Sequence, residues 1–539
     1  MFQDKLKSEL IKQLKQDIQL ETPPNREFGD LALPCFKLKK SPIDIQKQIK
    51  LPNFVEKTEI KGPYLNFFIK KEIKAKAVLT NKIKNKSKNY KIVIEYPSPN
   101  TNKPLHLGHV RNIVTGQAIS KIKEFQGNKV TQVNLLNDRG IHICKAMLAY
   151  KKWGKNKQPN KKPDHFVGDF YVLFNKNTNE QLEQEAQEML VKWENKNKEI
   201  RALWKKLNTW TEKGFEETYK QLNLKFKKTY KESNIYEKGR DIVLKAHKKG
   251  LFAKDEKGNL LAELEKYNLP NKILLRADNT SIYITQDIAL ADEKYKDFKP
   301  NESIILTGTE QNLHFKQLFQ LLKLLNYKFN NTHIGYGMVY LPEGRMKSRE
   351  GTVVDADDLI EEMTNLAKKE ITSRYSNLSK QEIEKRAKQI GIGAIRFFIL
   401  KLDTSKDMTY DPNQSISFEG ETGPYVQYAH ARCSSVLKKQ KPKPNTNYKL
   451  LSTKEEQSLI DQLSLFELVI EQAAELCKPN LIANYLFKLA QTFNEFYQAC
   501  QILKEKEEIK NARLKLVEKT KEVLSIGLSL LEIDAPQQM

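Results

Sequence analysis

Residues 95–111 constrain the fold of this chain more than any other stretch: E-Y-P-S-P-N-T-N-K-P-L-H-L-G-H-V-R. The apolar run at residues 92–94 precedes it and reads as a buried strand. Prolines and asparagines then break the strand, and His106, Gly108 and His109 open a helix. A strand, a tight polar loop and a helix start form the phosphate-binding corner of an open α/β sheet. Free backbone N–H groups and the positive dipole end of a helix favour an anion there. Gly108 removes bulk where backbone must approach a ligand, and both histidines can donate to phosphate oxygens. H-x-x-H also occurs in zinc sites, but no third His, Cys or Asp stands at ligand spacing nearby. The corner points to nucleotide chemistry without naming the reaction.

Charge narrows the partners. Lysine and arginine total 92 against 67 acidic residues, a net charge of +25. Such an excess favours an acidic partner, nucleic acid above all, although an AT-rich genome would also enrich lysine. The predominance of lysine suits phosphate attraction more than base reading. Cysteines 35, 144, 433, 477 and 500 form no C-x-x-C pair and read as reduced thiols of a cytosolic protein. No run of ~18 apolar residues offers a membrane span. The first twenty residues are amphipathic and lysine-rich but contain Asp4, Glu9 and Asp17, which fits a folded helix better than a transit peptide.

Patterning divides the chain into three expected domains. Residues 1–86 mix helical segments with an F-G-D-L-A-L turn and a strand in K-G-P-Y-L-N-F-F-I, followed by a lysine-rich linker. Residues 90–407 carry strands predicted at 129–135, 303–307 and 336–341, with a charged, helix-patterned insertion over 150–235. Residues 424–539 show helical periodicity, broken by a proline-containing loop at 438–447.

Five segments together resemble the arginyl branch of the class I aminoacyl-tRNA synthetases. S-P-N-T-N-K-P-L-H-L-G-H resembles their HIGH signature and F-G-D-L-A their appended N-terminal domain. S-I-Y-I-T-Q-D resembles their amino-acid pocket, and G-R-M-K-S-R-E-G stands where their KMSKS loop belongs. G-P-Y-V-Q-Y-A-H-A-R resembles their anticodon-binding helix. The resemblance implies a Rossmann-type parallel-sheet catalytic domain, an α+β N-terminal domain that touches the tRNA elbow, and an all-α C-terminal anticodon-binding bundle. It further implies a cytoplasmic monomer that takes L-arginine, ATP with Mg2+ and tRNA(Arg), with no tightly bound metal.

Carried over residue by residue, the family pattern makes His106, His109, Lys347 and Arg349 catalytic. Pro99, Lys103, Gly108, Met346, Lys347 and Ser348 join the two histidines around ATP. Glu95, Asn100, Glu232, Tyr283, Asp287 and Gln311 hold arginine, and Tyr425, Gln427, Tyr428, His430 and Arg432 meet tRNA. A guanidinium offers five planar donors that carboxylates match in bidentate geometry, which is why acids should line its pocket. Arg111 is a further candidate for positive charge near phosphate. Two departures stand out: Ser348 occupies the place of the second KMSKS lysine, leaving Lys347 and Arg349 to compensate, and the usual R-M ending is Q-M. The alternatives are a class I synthetase for another amino acid and a catalytically inactive RNA-binding paralogue.

Overall fold

The computed structural model describes the chain apart from residues 1, 24, 84–86, 279, 342–343, 346–353, 376 and 418. Met346, Lys347, Ser348 and Arg349 therefore lie outside the described residues. Two compact units emerge: one of residues 1–83, 433–466 and 491–523, the other of residues 84–432, 467–490 and 524–539.

The second unit is built on a five-stranded parallel sheet. Its strands are β1 (Lys91–Glu95), β2 (Lys129–Leu136), β3 (Lys228–Lys231), β4 (Glu302–Gly308) and β5 (Asn330–Tyr336), in the order β5-β4-β1-β2-β3. Ile92, Val93 and Ile94 are buried because helices cover both faces of a parallel sheet, as the unbroken apolar run predicts. The strand order reverses between β1 and β4, so a crevice opens at their carboxyl ends, where such sheets take ligands. The loop after β1 leads into the Leu107–Phe125 helix, whose Gly116 lets the Tyr96 ring lie 2.6 Å from where a Cβ would stand.

Two sequence expectations are corrected here. Residues 150–235 are not helical throughout: after the helices Pro163–Lys176, Glu180–Glu194 and Lys198–Gln221 the chain enters β3. As an edge strand β3 pairs with β2 alone and buries only Tyr230, so K-T-Y-K carries no apolar alternation to announce it. The strand predicted over 336–341 is in fact β5, ending at Tyr336, and a separate strand Val339–Leu341. Gly337 separates them, and a Cβ there would meet the Lys406 backbone at 2.4 Å. A small antiparallel sheet of Ala253–Lys254, Leu260–Ala262 and Lys272–Leu275 completes this part.

The insertion helices have their own core, in which Trp193, Phe174, Met147 and Tyr150 are buried. In the first unit, Leu6, Leu10 and Leu14 recur at i, i+4 along the Phe2–Leu14 helix and pack with Leu65 and Phe67 of a three-stranded antiparallel sheet. The F-G-D turn closes it: Asp30 Oδ2 accepts from Ile69 N at 2.7 Å, and Oδ1 takes Lys74 Nζ at 2.8 Å. Beyond Gly423 the described residues form helices, with a loop at 440–447 where proline-rich sequence stops the helix Gly423–Lys439. No helix among the described residues is long and apolar enough to cross a membrane. All five cysteines are buried and none forms a disulfide.

Arg111 is not poised for phosphate. It is 1% exposed, and its guanidinium donates to the carbonyls of Gly337 (2.8 Å), Met338 (3.1 Å), Thr404 (3.0 Å) and Lys406 (2.6 Å). Replacing Arg111 with Met should cost about 3–5 kcal/mol of stability, because a buried guanidinium and its bonds to four backbone carbonyls are lost together. Urea denaturation monitored by fluorescence measures the loss; a change below about 1 kcal/mol would mean that water replaces the guanidinium.

Candidate functional site

The site begins where β1 ends. Asn134 and Asn137, at the carboxyl end of β2, shape the loop that follows β1. Asn134 Oδ1 accepts from Ser98 N (3.3 Å), Asn137 Nδ2 donates to Ser98 O (2.8 Å), and Asn137 N donates to Pro99 O (3.0 Å). This leaves Pro99 buried and Asn100 exposed at the mouth of the crevice, with Lys103 half-buried beyond.

His106 is the N-cap of the Leu107–Phe125 helix. Its Nδ1 accepts from Gly108 N (3.2 Å), and His109 Nδ1 accepts from His106 N (3.2 Å), a reciprocal capping box built from two imidazoles. Both Nδ1 atoms are therefore unprotonated acceptors, so each neutral ring carries its proton on Nε2. Burial, reinforced by the Lys103 charge, pushes His106 down to about 3 and drives His109 well below the usual range. The rings stand 3.9 Å apart. The corner thus offers two neutral Nε2–H donors whose orientation is set by the helix start itself.

The Tyr283–Phe298 helix brings the second group. Asp287 Oδ2 lies 2.6 Å from His314 Nε2, and Lys294, two turns further along, pairs with Glu95 Oε2 at 2.6 Å in a buried bridge. Glu95, Asp287 and Lys294 line one small cavity with Leu290, Ile305 and Phe315, so the structure brings two of the predicted acids together. Glu95 is not a free carboxylate, since Lys294 already answers its charge. Glu232, just past β3, is 8% exposed, and burial pushes it up to about 7 despite Arg139, whose Nη1 is 3.7 Å away. Gln286 joins them: with its amide turned to match its neighbours, its nitrogen donates to Glu232 (3.1 Å) and its oxygen accepts from Arg139 (3.1 Å). Asp138 fixes this corner by accepting from Ser233 N (2.8 Å) and Ser233 Oγ (2.7 Å). Tyr283 is 79% exposed and packs on neither acid group, while Gln311 is exposed on the turn after β4.

Arg139, Lys294 and His314 did not emerge from sequence patterns, and Gln286 stands inside the S-I-Y-I-T-Q-D segment without a role assigned by the pattern. Lys294 had a findable signal, because seven residues from Asp287 is two helical turns on one face.

The tRNA set divides. Gln427 is fully buried, and its Nε2 donates to Asp534 O (2.9 Å) and Gln389 O (3.4 Å). His430, 2% exposed, has its Nδ1 2.8 Å from Pro536 O. Both are buried and bond to the chain's own backbone, where the sequence pattern predicted side chains facing tRNA. Tyr425 and Tyr428 are half-buried, Tyr425 packing on Phe487, and the Arg432 guanidinium lies over the Tyr428 ring at 4.8 Å.

Comparison with known proteins agrees along the length of the chain. The profile of tRNA synthetases class I (R), catalytic domain, matches residues 72–411. Residues 1–69 match the arginyl tRNA synthetase N terminal domain, and residues 426–539 the DALR anticodon binding domain. The arginine–tRNA ligase of Treponema denticola is 42% identical over 559 residues, covering 96% of this chain and 94% of that protein. This chain belongs to the arginyl-tRNA synthetase family. The arginine–tRNA ligase of Bacteroides thetaiotaomicron is 44% identical, covering 83% of this chain and 80% of its own length. Thermus thermophilus arginyl-tRNA synthetase superposes with a TM-score of 0.89 at 26% identity, covering 100% of both chains.

The capping box makes the histidines testable without any substrate. In 15N NMR of histidine-labelled protein, His106 and His109 should appear as neutral Nε2–H tautomers that do not titrate between pH 5 and 8. A midpoint near 6.5 for either ring would mean that the Nδ1 caps are not formed.

Proposed function

We propose that this chain joins L-arginine to the 3′ end of tRNA(Arg) through an arginyl-adenylate, acting as a cytoplasmic monomer on ATP complexed with Mg2+. The observation that carries this reading is the pair of neutral, helix-capping histidines at a sheet crevice whose other wall holds buried acids. In the first step an arginine carboxylate oxygen attacks the α-phosphorus of ATP and pyrophosphate leaves. Charge develops on the phosphoryl oxygens, and His106 and His109 meet it with Nε2–H donors already in place; removing one such donor costs on the order of 10²–10³ in rate. Being neutral, they meet that charge as hydrogen-bond donors rather than as cations. Gly108 and Pro99 let the triphosphate approach the backbone, Lys103 adds charge beside it, and Lys347 or Arg349 supplies the cation that Ser348 does not. In the second step the tRNA 3′ hydroxyl displaces AMP.

Arginine selection rests on Asp287, Glu232 and Glu95, with Asn100 and Gln311 for the α-groups and Tyr283 for the flat face of the guanidinium. A charged hydrogen bond contributes about 1.5–3 kcal/mol, so two carboxylates fitted to a fork reject lysine, whose point charge leaves acceptors unpaired. Residues 1–86, 90–407 and 424–539 serve as elbow-binding, catalytic and anticodon-binding domains. Tyr425, Tyr428 and Arg432 are the surface for splayed bases, a stack contributing about 1–3 kcal/mol per base.

ATP–pyrophosphate exchange with each of the twenty amino acids, with and without total tRNA, tests the reading. Exchange with arginine alone, dependent on tRNA, is expected. Exchange with another amino acid would refute the pocket, and none at all would leave an inactive paralogue. Asp287→Asn should raise the arginine KM about 10- to 100-fold and leave the ATP KM nearly unchanged; equal losses for both would remove Asp287 from the pocket.

Glu232 sets a pH dependence. With its folded-state value at about 7, it is mostly protonated at pH 6 and mostly ionised at pH 8. A guanidinium binds the ionised form, so the arginine KM should fall by about tenfold between pH 6 and 8. Glu232→Gln should flatten that slope, and an unchanged slope in the variant would place the titrating group elsewhere.

A further inference from the structure

The helix Pro163–Lys176 meets the His106 corner by two routes. Directly, a Cβ on Gly168 would lie 2.6 Å from Pro104 Cδ and 3.4 Å from Lys103 Cα, so helix and loop touch almost backbone to backbone. The indirect route runs through Asp357. Lys162 Nζ reaches Asp357 Oδ2 (2.5 Å), Thr218 Oγ1 (2.5 Å) and Asp164 Oδ2 (3.1 Å). His165 Nε2 lies 3.0 Å from Asp357 Oδ2 and 3.4 Å from Asp355 Oδ1. The other Asp357 oxygen accepts from Thr218 Oγ1 (3.1 Å) and Gln221 Nε2 (3.0 Å), both on the Lys198–Gln221 helix.

Residues 354–356, just before Asp357, are paired with the catalytic corner. Leu107 N donates to Val354 O (3.0 Å), Ala356 N donates to Leu105 O (2.9 Å), and His106 and Asp355 form an antiparallel bridge. Asp355 also caps the following helix, its Oδ1 accepting from Asp357 N at 2.9 Å. The backbone that locates His106 is therefore tied to the insertion helices by one carboxylate with four side-chain donors. Asp164, His165 and Asp357 come within metal-ligand distance of one another, but the Lys162 ammonium bonds to both aspartates and takes the place a cation would fill.

We propose that His165 and Lys162, acting through Asp357, are positioning residues for the catalytic histidines: they hold residues 354–356 against the His106 loop and so fix the direction of the two Nε2–H donors. This rests on the aminoacylation reading for its effect on rate, though not for the geometry. Displacing a catalytic group by ~1 Å can cost on the order of 10²-fold in rate, so a small loosening of this tie should register in turnover before it registers in binding. The groups facing His165 fit the role. Asp357, with Asp355 and Asp164, raises its pKa against burial and Lys162, which favours the charged ring that bridges Asp357 and the capping Asp355.

The experiment compares the full-length chain with His165→Ala, Asp357→Asn and His165→Gln in tRNA-dependent ATP–pyrophosphate exchange, alongside 15N NMR of the histidines and thermal denaturation. His165→Ala and Asp357→Asn should lower kcat about tenfold, leave the arginine KM within about twofold, and shift the His106 and His109 ring-nitrogen resonances. His165→Gln, which keeps an N–H donor near the Nε2 position, should recover most of the rate and the wild-type resonances. Unchanged kcat and resonances in a folded His165→Ala would overturn the proposal. So would kcat, KM and the thermal midpoint all worsening together with no recovery in His165→Gln. An inactive wild-type chain would count against aminoacylation, while the histidine resonances would still decide the positioning.

Discussion

The arrangement of the catalytic unit depends on one buried guanidinium. Arg111 lies one helical turn past the histidine corner and binds carbonyls of Gly337 and Met338 on one side and Thr404 and Lys406 on the other. These segments come from the exit of β5 and from the stretch after the Lys380–Leu400 helix, so the Leu107–Phe125 helix is fixed to both. A guanidinium suits this task because its planar fork presents five donors at fixed angles, and carbonyls satisfy several of them without a second charge. Once that helix is fixed, its N-terminus is fixed too, and with it the two imidazoles that cap it.

The imidazoles show how one element can cap a helix and prepare a pair of hydrogen-bond donors at once. A helix start needs acceptors for its orphan N–H groups, and here Nδ1 of each ring supplies one. The same bonds define the tautomer and send Nε2–H outward, so the cap prepares the donor. Burial keeps the rings neutral. A charged ring would have no lone pair with which to cap, so protonation would loosen the helix start and the anion site together.

What the sequence made legible is what local pattern encodes. The apolar run at β1, the polar loop and the His-x-x-His helix start are contiguous, and each was read from its neighbours. The edge strand β3 was missed because it earns its place by pairing with β2, not by its own composition. Arg111 was misread because nothing nearby reveals that its partners lie 226 to 295 residues away. Gln427 and His430 look like a nucleic-acid surface in a helix rich in tyrosine, and only the folded tail, bonded to them through Asp534 and Pro536, shows that they face inward. The tie between His165 and Asp357 spans 192 residues and leaves no local trace at either end.

The acid pocket makes a different physical point. A cavity meant for a guanidinium needs carboxylates, but unpaired buried carboxylates are costly enough to take up protons instead. Glu95 and Asp287 line one cavity and Glu232 stands beside Arg139 and Gln286, each acid in a different setting. Glu95 is neutralised by Lys294, Asp287 is hydrogen-bonded to His314, and Glu232 has Arg139 nearby yet is shifted to about 7 by burial. A pocket of three free acids would attract any cation. One whose charges are partly answered from within gains most from a ligand that brings several directed donors at once, since only such a ligand improves on the bonds already present. On the proposed arginine-binding role, selectivity for a planar fork over an ammonium would follow from what the protein's own cations leave unsatisfied, and Lys294 and Arg139 would shape it along with the acids beside them.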